Sequence, residues 1–222
     1  MSEGQVNRAD LALRETRRIK SDDPQVLDLV GTTLTQMGEY DLAKVFFTRA
    51  NQLRPNYPPF MMNLANNLVY HGDKENSENI FRAVLQIQPD GAQVHWSLAT
   101  AKKAKDRQHI KKMEKLCEKF RNNPRALAFL YYAIGKESED LEHWDRAIKA
   151  FNRGAAARRE TIEYDEQAEI AFFDYLQEHY TSEWLADGDQ GVDDRSPIFV
   201  LGQPRTGTTL IERIITLSLI HI

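Results

Sequence analysis

The chain has 222 residues, 41% of them hydrophobic and 28% charged, with a formal net charge of −4. That length allows one domain or two, and the mildly acidic balance gives no electrostatic footprint for nucleic acid. No apolar run approaches the ~20 residues that a membrane helix needs, and Met1 to Lys20 has no signal-peptide core, so the expected compartment is the cytoplasm with no membrane partner.

Residues 1–23 read as a half repeat or cap. Ala9 lies 34 residues before Ala43, and Ala9 to Lys20 can form the second helix of a unit whose first helix is absent. From 24 to 160 the sequence repeats. A shift of 34 pairs Leu34 with Leu68, Gly38 with Gly72, Phe47 with Phe81 and Pro55 with Pro89, and it places small residues opposite one another, Gly31 with Ala65 and Ala43 with Ser77. Two units are clear, at about 24–57 and 58–91. A third starts at Ala92 with Ala99 in the small position. Lys102, Lys111 and Lys115 stand where Leu34, Ala43 and Phe47 stood, so its second helix is expected to be degenerate. A fourth returns after a slip of two, with Gly135, Trp144, Ala147 and Phe151 in place of Gly31, Tyr40, Ala43 and Phe47. This period, with small residues where helices cross and an aromatic in the second helix, resembles the tetratricopeptide repeat.

Cys117 is the only cysteine, which excludes an internal disulfide and reads as a buried structural thiol. The histidines read as surface or hydrogen-bonded groups, because His95 and His109 have no metal-like spacing, and no metal is expected. Lys102, Lys103, Lys105, Arg107, Lys111, Lys112 and Lys115 form a basic segment, read first as a solvated, poorly packed repeat face and second as a dock for an acidic peptide. First helices of such repeats usually face the groove. In this register they offer Asn66, Tyr70, Trp96, Thr100, Tyr132 and Lys136, a set able to hold an extended peptide. The same aromatics can equally pack between helices.

Residues 161–185 are expected to hold a capping helix, with Ala168, Ala171, Phe172, Tyr175 and Leu176 on its apolar side between Tyr164 and Tyr180. Residues 186–196 form a linker. Its clustered aspartates do not match a calcium loop, since the twelfth position is Ile198 and the glycines are misplaced. In residues 197–222, Pro197 to Leu201 read as a buried strand leading through Gly202-Gln203-Pro204-Arg205-Thr206-Gly207-Thr208-Thr209 into a helix. A helix start favours anions, Gly207 allows close approach, and Arg205 offers a planar fork for phosphate or sulfate oxygens. The spacing is that of a nucleotide P-loop with Thr208 where lysine belongs, which argues against ATP or GTP.

Pro197 to Ile215 resembles the 5′-phosphosulfate loop of sulfotransferases that use 3′-phosphoadenosine 5′-phosphosulfate (PAPS), and the order of repeats then loop is similar to repeat-containing bacterial sulfotransferases related to protein-tyrosine sulfotransferases. The resemblance implies a mainly α chain, a tetratricopeptide superhelix followed by the opening strand, P-loop and helix of an α/β domain. It implies PAPS as donor, held by Pro204, Arg205, Thr206, Gly207, Thr208 and Thr209, with Arg205 stabilising the leaving phosphate in the transition state. The acceptor would be a hydroxyl or amine of an unspecified protein, peptide, glycan or metabolite. The family pattern breaks after Ile215, so the reading frame is expected to be cut short and the chain by itself inactive. The alternative is a tetratricopeptide interaction scaffold without catalysis.

Overall fold

The computed structural model describes residues 21–186, 196 and 198–217. The half repeat at Ala9 to Lys20 and the linker aspartates lie outside the described residues. Within them the regular elements are helices: α1 Pro24–Gln36, α2 Tyr40–Leu53, α3 Pro58–Tyr70, α4 Lys74–Ile87, α5 Ala92–Ala101, α6 Gln108–Lys119, α7 Pro124–Asp140, α8 Trp144–Arg159, α9 Glu166–His179, α10 Ser182–Ala186 and α11 Thr208–Leu217. The chain divides into two compact units, 1–163 and 164–222.

The helices of the first unit begin where local chemistry lets them. Pro24, Pro58 and Pro124 open the first helices of three repeats, where a missing N–H costs nothing. Asp23, Asp73 and Asn123 cap α1, α4 and α7 by accepting the backbone N–H of Gln25, Asn76 and Ala126 at 2.8, 3.3 and 3.0 Å. Gly38 and Gly72, 34 apart, turn the chain between paired helices at φ of 81° and 73°, a conformation glycine adopts without strain. The corresponding residue of the fourth repeat is Glu142, at φ 60°.

Apart from α5 and α6, consecutive helices pack along the unit, and each first helix also meets the first helix of the next repeat. The crossing of α1 on α2 is set by Gly31: a Cβ there would lie 2.7 Å from the Phe47 ring. Gly135 and Phe151 repeat the arrangement between α7 and α8, at 2.5 Å. Ala65 and Ala99 hold the same repeat position and are fully buried. α7 is 17 residues long against 13 for α1, and the extra turn lies before Gly135, which accounts for the slip in register.

The third repeat is better packed than its lysines suggest. Ile110 and Cys117 take the places of Ala43 and Ala50, one residue earlier than a strict period requires, and with Met113 they enter a buried cluster with Ala99, Leu130 and Ala133. Lys111, Lys112 and Lys115 are thereby turned outward and exposed. The poorly packed face expected there is therefore corrected: a one-residue slip restores an amphipathic helix. The larger Ile110 replaces alanine at the crossing, and α5 and α6 do not lie against each other as the other three pairs do. Burial pushes the Cys117 thiol up to about 11, which suits an inert structural cysteine.

In the second unit α9 forms, capped by Asp165 on the N–H of Ala168 at 3.1 Å, but none of its residues is buried. This helix belongs to the second unit. Ile198 to Leu201 form no strand, and Ile198, Phe199 and Leu201 are exposed. A strand exists only in a ladder with a partner, and among the described residues no other segment is extended beside this one. The expected α/β element is therefore corrected: the described structure is mainly α.

Substituting Gly135→Ala forces the Phe151 ring to move and is expected to destabilise the chain by about 1–3 kcal/mol, read from the urea midpoint. Glu142→Gly relieves a left-handed backbone and is expected to stabilise by up to about 1 kcal/mol in the same titration.

Candidate functional site

The first helices of the repeats bound a cavity of about 520 Å³. Thr32 and Thr35 come from α1, Asn63, Asn66 and Tyr70 from α3, Gln93, Trp96, Ser97 and Thr100 from α5, and the rings of Phe47, Phe81 and Phe129 supply apolar wall. Every lining side chain is uncharged. The row is periodic: Thr32, Asn66 and Thr100 are 34 apart, as are Gln36 and Tyr70, and Asn63 and Ser97. The sequence reading took Asn66, Tyr70, Trp96 and Thr100 from this row. It missed Thr32 and Gln36, although their repeat positions are those of Asn66 and Tyr70.

Intrachain bonds hold the wall in place. Asn63 donates its amide to both carboxylate oxygens of Asp28 at 3.0 and 2.9 Å. Burial raises the Asp28 carboxyl, and that bond partly offsets the rise. Asn67 is buried and donates to the Tyr40 carbonyl at 3.1 Å, while its Oδ1 has no partner in the chain. Tyr70 stacks on Tyr40 with centroids 4.7 Å apart. Tyr132 and Lys136 do not line this cavity. The Tyr132 ring lies 6.0 Å from Trp96, 6.5 Å from Phe151 and against Gly154. Lys136 binds Asp140 at 2.6 Å and donates to the carbonyl of Lys102.

A second polar cluster joins α5, α6 and α7. His95 holds the repeat position of Leu27 and Met61, and Lys102 that of Leu34 and Leu68, so two core positions carry polar groups. His95 Nε2 meets the Pro89 carbonyl at 2.9 Å, and His95 Nδ1 meets His109 Nε2 at 2.8 Å. His109 Nδ1 meets Glu137 Oε1 at 2.6 Å, and Lys102 Nζ lies 3.5 Å from that oxygen. Glu137 is fully buried and its Oε2 is unpartnered. Asp140 accepts the N–H of Ala104 at 2.8 Å, tying the segment after α5 to α7. Burial holds the His95 imidazole below its ordinary value against the Pro89 bond, and His109 lowers it further. Sequence reading placed these histidines as hydrogen-bonded groups without seeing that they bond to each other. The 34-residue register of His95 with two core residues was the available signal.

In the second unit Gln203 to Gly207 form a tight turn before α11. Arg205 has φ of 70° and Gly207 of 95°. The N–H and hydroxyl of Thr206 both donate to the Gln203 carbonyl, at 3.3 and 2.7 Å, so this residue spends its donors inside the loop. Pro204, Arg205, Gly207 and Thr209 are exposed, and Thr208 is half-buried.

Comparison with known proteins points to the repeats. Residues 24–57 match the tetratricopeptide repeat model. An uncharacterized protein of Aquifex aeolicus (strain VF5) is 25% identical over 95% of this chain, which spans 28% of that relative's length. Among solved structures, MamA 41-end from Desulfovibrio magneticus RS-1 is similar at TM-score 0.55 and 19% identity, over 72% of this chain and 92% of the other. A crystal structure of MamA gives TM-score 0.53 and 17% identity over 74% and 99%. These likenesses show the fold, a mainly α tetratricopeptide-like repeat. They correct the sulfotransferase reading: family match and structural neighbours alike are repeat proteins, and the strand that reading requires is not formed.

The histidine cluster gives an acid-side prediction. Because the folded chain holds His95 neutral below the ordinary value, the unfolded chain takes up the proton first as pH falls below about 6.5. Stability is therefore expected to fall from there downward. His95→Met, which restores the residue of the preceding repeat, is expected to remove that part of the loss, seen by comparing urea midpoints at pH 7 and pH 5.5.

Proposed function

We propose that the repeat unit is a protein-interaction scaffold whose groove holds an extended, uncharged segment of a partner protein. The observation that carries this reading is the periodic row of amides and hydroxyls along the groove, centred on Asn66 and Thr100, without a charged side chain among the lining residues. Asn and Gln amides each offer a donor and an acceptor, which suits the alternating N–H and C=O groups of an extended backbone. Trp96 adds an apolar contact beside them. The tetratricopeptide match and the MamA-like fold support the scaffold reading, since stacked repeats present a long surface from rigid helices.

The test uses peptides selected from a displayed random library against the full chain, then made with a fluorescent label and titrated by anisotropy. Asn66→Ala and Trp96→Ala are each expected to weaken binding about 5–50-fold, the loss of one or two hydrogen bonds or of an aromatic contact. Affinity is expected to change less than about threefold between 50 and 500 mM salt, because no groove charge is there to be screened. Binding indifferent to both substitutions, or falling steeply with salt, refutes the groove assignment.

A further inference from the structure

We infer that His95, His109 and Glu137 form a buried proton-binding site, in which His109 is kept as an imidazolium ion between a neutral His95 and an ionised Glu137, and that this proton joins α5, α6 and α7. The inference follows from counting donors along the chain of bonds. Pro89 offers a carbonyl, which only accepts, so His95 Nε2 must carry a hydrogen. A neutral His95 then presents a bare Nδ1 to His109, and the 2.8 Å contact requires a hydrogen on His109 Nε2. If His109 were neutral as well, its Nδ1 would turn a lone pair toward a carboxylate oxygen 2.6 Å away. One further proton is needed to make that contact attractive. The short separation suits a charge-assisted bond, which is shorter than one between neutral groups.

The surroundings place the charge. Lys102 Nζ, 3.5 Å from Glu137 Oε1, favours the ionised carboxylate and therefore the proton on His109. The groups facing the site come from each element packed around it. Arg82 of α4, Lys102 and Asp106 at the end of α5 and beyond, and Lys112 of α6 line a cavity of about 500 Å³ that His95 and His109 also line, and Asp90 lies near His95. On α7 the neighbouring Lys136 and Asp140 are bonded to each other. Lys102 and Lys112, which line that cavity beside the histidines, raise the cost of a second proton, and His95 stays neutral while His109 is charged. Loss of the single proton turns two acceptors toward each other in a site where Glu137 is fully buried. It therefore loosens the third repeat, whose α5 also carries Trp96 on the groove wall.

Glu137→Gln is the discriminating variant. Its amide donates to His109 Nδ1, so the same three bonds form with no added proton. Between pH 7.5 and 9 the folding equilibrium constant of the wild-type chain is expected to fall more steeply than that of the variant, by up to about tenfold per pH unit, the limit for one proton held by the folded state alone. In the wild-type protein, nitrogen-15 spectra at pH 7.5 are expected to show hydrogens on both nitrogens of His109 and on Nε2 alone of His95. Equal slopes for wild type and variant overturn the inference. So does a single-hydrogen His109 ring, a readout that stands even if Glu137→Gln does not fold.

Discussion

The repeat unit depends on how closely the first helix of each pair can approach the second. Where Gly31 or Gly135 faces a phenylalanine ring, there is no room for one more carbon, and the fully buried Ala65 and Ala99 keep the same position small. Helix crossing distance follows the bulk of the side chains at the contact. That distance then sets where the outer residues of the first helices fall, and the groove row includes the residues next to these small positions. Thr32, Asn66 and Thr100 each follow the small residue by one place, so they share an orientation fixed by the crossing beneath them.

The third repeat departs from this rule and shows what else can hold such a unit together. Its second helix brings Ile110 rather than alanine to the crossing, and α5 and α6 stand further apart than the other pairs. Two core positions of α5 carry His95 and Lys102 instead of leucine or methionine. Polar groups at core positions destabilise unless each is bonded, and here His95 is bonded to the Pro89 carbonyl and His109 while Glu137 of α7 meets His109 and lies 3.5 Å from the Lys102 ammonium. The packing lost between α5 and α6 is offset by polar bonds to α7 and by the buried cluster of Ile110, Met113 and Cys117. The result is a repeat whose cohesion depends on protonation.

Much of this was legible from the amino-acid order because it is periodic. Gly31, Ala65, Phe47 and Phe81 recur at one spacing, and the spacing gives helix count, crossing points and half of the groove row. The third repeat was misread for the opposite reason. A one-residue slip hides Ile110 and Cys117 from a strict 34-residue comparison, so exposed lysines appeared to stand at core positions. Side-chain partnership was also out of reach, because His95, His109 and Glu137 lie 14 and 28 residues apart and share no local pattern. Tyr132 and Lys136 were placed on helical phase alone, and phase does not show the ring contacts of Tyr132 with Trp96 and Phe151 or the bonds of Lys136 to Asp140 and the Lys102 carbonyl.

The C-terminal loop teaches the limit of a short motif. Gly207 and Thr208 do stand at a turn into a helix, as the spacing required, and Gly207 has the positive φ that only glycine takes easily. An α/β element needs more than that turn, because a strand must pair in a ladder behind the loop. Among the described residues Ile198 to Leu201 form no strand, and Thr206 turns both its donors onto Gln203. The repeats carry more weight because each copy tests the others. Gly31 with Phe47 and Gly135 with Phe151 make the same close contact 104 residues apart, and chance does not reproduce a steric fit at the equivalent place twice.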